Sequence, residues 1–125
     1  MLYLTKVIRN NWDNQKTMDL TEAVLSLKTA NEMKKFLRDL LTEQELVEFG
    51  NRWRAANMLN ENIPYSKIEK ETGLSSTTIA RISKWLKQGM GGYKIVLKRL
   101  GKDRVHHSLN KKVRGMVSAE KFHRP

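Results

Sequence analysis

Cysteine is absent from this 125-residue chain. Disulfides, thiolate zinc sites and cysteine nucleophiles are therefore excluded, and a reducing compartment fits. Proline occurs only twice, and clusters of β-branched residues are few. Acidic residues are scarce: 13 Asp and Glu stand against 24 Lys and Arg, for a formal net charge of +11. No apolar run approaches the roughly 18 residues that cross a bilayer. The opening Met1-Leu-Tyr-Leu-Thr-Lys-Val-Ile-Arg9 is too short and too soon charged for a signal peptide, so a cytoplasmic protein that makes no use of a membrane is expected. The length suits one domain with a modest core and short extensions.

Leu, Lys and Glu are plentiful, and with so little proline they point to helices. The positive excess favours polyanions, nucleic acid above all, although an anionic surface attracts the same charge and a solvated basic face carries it idly.

Residues 1–15 show no apolar period and are rich in Asn; they read as an N-terminal arm. From Met18 to Leu27, Leu20, Val24 and Leu27 fall at helical spacing. Asn31 is a candidate cap for a second helix, with a stripe of Met33, Phe36, Leu37, Leu40 and Leu41. Thr42 and Glu45 form a capping-box pattern, and a long helix follows to about Asn60 with Leu46, Phe49, Trp53 and Ala56 on one face. Gly50 inside it marks either a close helix–helix approach or a tolerated glycine, which in a helix is worse than Ala by about 1 kcal/mol. Pro64 biases Ile63 away from helical angles and ends that helix. A short helix from Ser66 to Thr72, a turn at Gly73 and a helix from Ser75 to about Lys87 come next. Gly89, Gly91 and Gly92 break the last of these, and Tyr93–Leu100 supplies a final short helix. The helical domain is thus expected over 16–100, with a basic, disordered tail over 101–125.

The stretch 65–87 is the informative one. Ile68 faces the second helix of the unit, Gly73 permits a positive φ at the bend, and Leu74 plugs the angle between the helices. Ser75 caps the second helix, and Ile79, Ile82 and Leu86 pack it back onto the domain. This is the pattern of a helix-turn-helix, whose second helix enters the major groove with its N-terminal residues at base edges. Ser75, Ser76, Thr77, Thr78, Ala80 and Arg81 are small, hydrogen-bonding or cationic, as base or thymine-methyl contacts require. Ser66, Lys67, Lys70, Lys84 and Lys87 flank the unit as candidate phosphate contacts, which position a protein without reading sequence. An αα-corner with an ordinary charged face fits the same residues. Glu69 stands where such units usually keep a small residue, so it leans outward, splays the helices, or accepts from a cytosine amine.

Leu25-Ser-Leu-Lys-Thr29, Phe36-Leu-Arg-Asp-Leu-Leu-Thr42, Arg52-Trp-Arg54, Ala56, Leu59, Thr72-Gly-Leu-Ser-Ser-Thr-Thr-Ile-Ala-Arg-Ile82 and Gly91-Gly-Tyr-Lys-Ile-Val-Leu-Lys-Arg-Leu100 give the chain its resemblance to a known family. Over about residues 18–100 it resembles the Trp-repressor superfamily, in its YerC/YecD branch. The resemblance implies an all-α, intertwined homodimer whose N-terminal helices interlock. It makes the stripes at Leu20, Val24, Leu27, Met33, Phe36 and Leu40 an interface. It also implies a corepressor site for tryptophan, with Arg52, Arg81 and the Thr42 carbonyl as the matching groups. Ile82 and Trp85 stand where the repressor has glycine and serine, and they can fill the space of the indole. The expectation is therefore a DNA-reading head with no cofactor, in which Trp85 or Trp53 takes the ligand's place.

The tail carries seven Lys and Arg, including Lys102, Arg104, Lys111, Lys112 and Arg114, either as extra phosphate contacts or as a solubilising segment. His106, His107 and His123 do not make a metal site, which needs three or four ligands fixed in space. No nucleophile triad, phosphate-cradling loop or metal carboxylate pair is visible, so no enzymatic activity is expected. The expected function is sequence-specific binding of double-stranded DNA by a homodimeric, nucleoid-associated transcriptional regulator, most simply a repressor. The rivals are an architectural binder that uses charge alone and a protein-interaction module.

Overall fold

The computed structural model describes residues 11–101. Among these there are six helices and no strand: α1 Gln15–Leu25, α2 Ala30–Leu40, α3 Glu43–Asn60, α4 Tyr65–Thr72, α5 Ser76–Gln88, and α6 over 92–101. The chain divides into two units at Glu48 and Phe49, within α3. The tail beyond 101, with its basic residues and histidines, and the first ten residues of the N-terminal arm lie outside the described residues.

In the first unit each helix start is fixed by a side-chain cap. Asn14 accepts from the Lys16 and Thr17 amides at 2.9 and 3.3 Å, so α1 begins at Gln15, ahead of the expected Met18. Thr29, not Asn31, caps α2. Its hydroxyl accepts from the Glu32 amide at 3.1 Å, and the Glu32 carboxylate accepts from the Lys28 amide at 2.8 Å. Thr29 wins because Glu32 stands three positions on, where its carboxylate satisfies a second orphan amide and its charge favours the helix N-terminus. Asn31 has no such partner and is simply the second residue of α2. The Thr42–Glu45 box forms as the sequence predicts. The Glu45 amide donates to the Thr42 hydroxyl at 3.1 Å, and the Thr42 amide donates to the Glu45 carboxylate at 2.9 Å.

Neither α1 nor α2 contributes a buried residue. Leu20 is 42% and Leu40 49% exposed, and Val24, Leu27, Met33 and Phe36 are half-buried. The periodic stripes are present, and the described residues do not bury them.

The second unit has a core. Ala55 and Ala56 of α3, Ile68 of α4, and Ile79 and Ile82 of α5 are fully enclosed, and Leu97 of α6 is buried. Trp53, Met58, Leu59, Ile63, Leu74, Leu86 and Tyr93 pack around this centre. The Trp53 and Tyr93 rings stack with centroids 6.2 Å apart and an interplanar angle of 17°.

The end of α3 is set by Asn62 as much as by Pro64. Asn62 is left-handed, with φ of 61°. Its amide donates to the Leu59 carbonyl at 3.0 Å, and the Ile63 amide donates to the Met58 carbonyl at 3.0 Å. These two bonds make a Schellman motif, which satisfies carbonyls the helix would otherwise leave orphaned. Gly50 meets no steric neighbour: a Cβ there would have nothing within 4 Å in the chain. Of the two alternatives for Gly50, tolerance therefore describes this chain by itself.

Candidate nucleic-acid interface

The segment 65–88 folds as helix, turn, helix. Proline 64 leads into α4 in an extended conformation without a side-chain cap, and α4 starts at Tyr65, one residue before the expected Ser66. At the bend Gly73 has φ of 74°, and its amide donates to the Glu69 carbonyl at 2.8 Å. Thr72 braces the turn. Its hydroxyl donates to the Ile68 carbonyl at 2.7 Å and accepts from the Leu74 amide at 3.2 Å. That pairing lets a polar side chain sit buried, because both hydrogen-bonding capacities are used. Leu74 packs against the core as expected of the residue filling the angle between the helices.

Ser75 caps α5, accepting from the Thr78 amide at 3.2 Å and donating to the Thr78 hydroxyl at 3.1 Å. The Ser75 and Thr78 hydroxyls are thus engaged with one another, and Thr78 is half-buried. The side chains left outward at the tip of α5 are Ser76, Thr77, Ala80 and Arg81, all exposed, while Ile79 and Ile82 point into the core. Ser66, Lys67, Lys70, Lys84 and Lys87 are exposed as well. Glu69 is half-buried; its backbone carbonyl serves the turn.

Glu71 on α4 pairs with Arg54 of α3 at 2.8 Å, with side chains 48% and 61% exposed. Such a solvated pair contributes at most about 1 kcal/mol. It does fix a cation and an anion beside the first helix of the unit. Sequence reading did not single out this pair, because the partners are distant in the chain.

The residues of the implied corepressor site are placed differently from one another. Arg52 is half-buried on α3 and Arg81 exposed on α5. Thr42 serves α3, its carbonyl accepting from the Leu46 amide at 3.0 Å. Ile82 fills the interior of the domain and is fully enclosed. Trp85 lies at the surface of the second unit. It is 45% exposed and forms one wall of an open apolar hollow of about 590 Å³, with Trp53, Met90, Tyr93 and Val96. Trp53 is occupied in its stack on Tyr93. The reason is register: Ile82 faces the core, and Trp85, three residues on, falls at the edge of that face, where a bulky ring meets solvent. No group of three or more metal-ligating side chains occurs among the described residues.

The family described as Trp repressor protein matches residues 15–101. The chain belongs to the Trp repressor family. That stretch holds all of α1 to α6, so the family accounts for every helix described above. The chain is 40% identical over 81 residues to YerC of Bacillus subtilis strain 168, an uncharacterized protein; the match spans 65% of this chain and 78% of YerC. It is 38% identical to a TrpR-like protein from Eubacterium eligens, with a TM-score of 0.69 over 74% of this chain and 96% of that one. A solved protein from Staphylococcus aureus is 30% identical, with a TM-score of 0.68 over 73% and 91% of the two chains. The fold is thus the all-helical TrpR-like one, a regulator fold and not an enzyme fold. No helix among the described residues is long and apolar enough to cross a membrane.

Proposed function

We propose that this protein is a sequence-specific, double-stranded-DNA-binding regulator of transcription. The observation that carries this reading is the tip of α5. Ser76, Thr77, Ala80 and Arg81 face outward from a capped helix that Ile79 and Ile82 hold rigidly on the core. A helix so presented fits the major groove, where Thr and Ser exchange hydrogen bonds with base edges, Ala meets a thymine methyl, and Arg pairs with guanine. Lys67, Lys70, Lys84 and Lys87 then contact phosphates and set the register on the duplex. Association with the nucleoid follows from such binding.

The protein acts as a homodimer through its N-terminal helices. The support is the exposure of the apolar stripes of α1 and α2, none of whose residues is buried among the described residues of one chain. Two recognition helices then meet successive major grooves of a palindromic site, with half-site centres about 34–36 Å apart. Occupying promoter DNA makes repression the simplest outcome. The protein needs no tryptophan corepressor in this reading, because Ile82 occupies the interior where the family pattern has a glycine.

Selection of bound duplexes from a random pool tests the proposal. One preferred palindrome is expected, and Thr77→Ala is expected to change which duplex wins, while Lys84→Gln with Lys87→Gln weakens all duplexes alike. Equal affinity for every duplex would instead make the protein an architectural binder. No shift at low salt would end the nucleic-acid reading.

A further inference from the structure

The second unit holds another concave feature, apart from the tip of α5. A cleft of about 830 Å³ lies between the Leu59–Tyr65 connection on one side and the C-terminal part of α5 with α6 on the other. That volume is within the range of small-molecule sites, about 300–1,000 Å³. Its base is apolar: Leu59, Ile63 and Leu86 are half-buried and Leu97 is buried. Its rim is cationic, because the exposed side chains of Lys87, Lys94 and Lys98 all line it. No carboxylate is among the described residues that line it. Tyr65 stands exposed at the margin, and Asn60 and Asn62 add neutral polar groups.

Both walls are pinned. The Schellman motif at Asn62 and the fixed φ of Pro64 hold the first wall. On the second, α5 stops at Gly89, where a Cβ would lie 2.4 Å from the Trp85 carbonyl oxygen, and the chain re-enters α6 through Gly91 at φ of 91°. Lys94 is thereby brought back over the end of α5, its Nζ 3.4 Å from the Lys87 carbonyl. Lys94 and Lys98 are four residues apart on one helix, an arrangement in which like charges repel. Three ammonium groups around one apolar base, with no acid among the described lining residues, suit an anion carried on an apolar or planar body.

We infer that this cleft is a phosphate-binding site for a phosphate ester with an apolar or aromatic portion, of which a mononucleotide is the simplest form. The lysines take the phosphate, and Leu59, Ile63, Leu86 and the Tyr65 ring take the body. Two sources supply this chemistry: a free phosphorylated small molecule, or the sugar-phosphate backbone of a duplex docked on α5. Only the second source rests on the DNA-binding reading.

The test uses the full chain. Nitrogen-15-labelled protein is titrated with thymidine monophosphate and, separately, with inorganic pyrophosphate, and amide shifts are followed at 59–65 and 94–98. Lys94→Gln with Lys98→Gln is the variant, and an unchanged melting temperature shows that it folds. If the source is a free ligand, thymidine monophosphate gives saturable shifts at those amides, and the variant binds at least tenfold more weakly. If the source is DNA, the nucleotide gives no saturable shift, and the variant's dependence of log K on log salt is shallower by about two counterions. Absence of both effects overturns the inference. A protein that binds no duplex, yet loses nucleotide binding in the variant, retains the cleft as a ligand site and sinks the DNA-binding proposal instead.

Discussion

At Gly73 the backbone has φ of 74°, while a Cβ there would meet nothing within 4 Å. The demand on this residue is conformational and not steric. Gly73→Ala is therefore expected to lose about 1–2 kcal/mol, the cost of placing an L side chain in left-handed geometry. Gly73→Asn should lose less, because Asn tolerates that region through local hydrogen bonding. Gly89 differs. Its φ is −77°, which any residue adopts, but a Cβ would sit 2.4 Å from the Trp85 carbonyl. Gly89→Ala must displace main chain, and a loss of about 1–3 kcal/mol is expected, as for other overpacked sites. Asn should not rescue Gly89 as it rescues Gly73. Thermal or urea unfolding of the variants at both positions separates the two causes. An Ala and an Asn of equal stability at Gly73 would contradict the conformational account.

At the scale of the helices, capping decides where each begins, and much of it was readable. Thr42 with Glu45 is a local pattern three positions apart, and it forms as written. Thr29 with Glu32 has the same spacing, but Asn31 is also a good capping type, and the apolar stripe alone does not choose between them. Thr29→Ala is expected to lose about 1 kcal/mol and Asn31→Ala close to nothing, and circular dichroism during unfolding measures both. Ser75→Ala should cost a similar amount and loosen the start of α5. Ile79→Ala removes a fully enclosed side chain and should cost about 2–5 kcal/mol. The helix-turn-helix was legible for the same reason that its core is simple. Ile68, Gly73, Ser75, Ile79 and Ile82 act over short spans, so their order in the chain carries the geometry. Residues that meet only in space were not legible. Arg54 with Glu71 joins α3 to α4, and the lysine-rimmed cleft draws on residues from 59 to 98. The exposure of Trp85 was not legible either, because helical spacing gives a direction around an axis but not the edge at which the packed face ends.

For the whole molecule, the two units differ in what they bury. Residues 49–101 enclose three isoleucines and two alanines, whereas α1 and α2, of 11 residues each, bury none. Isolated helices shorter than about 12–15 residues are marginal in water, so caps at Asn14 and Thr29 do not by themselves hold these two in place. Their apolar faces need cover, and each large side chain brought fully out of water contributes about 1.5–3 kcal/mol. In the proposed homodimer a second copy supplies that cover at Leu20, Val24, Leu27, Met33 and Phe36. If so, folding and association are linked, and stability depends on concentration by mass action. The melting temperature is expected to rise with protein concentration, and sedimentation equilibrium should give twice the chain mass. Phe36→Glu places a charge in the apolar stripe of α2. It is expected to yield monomers with reduced helicity and to abolish tight operator binding, because two linked recognition helices bind far more strongly than one. A wild-type chain that sediments as a monomer at tens of micromolar with a concentration-independent midpoint would remove the dimer. The stripes of α1 and α2 would then require some other partner to explain their exposure.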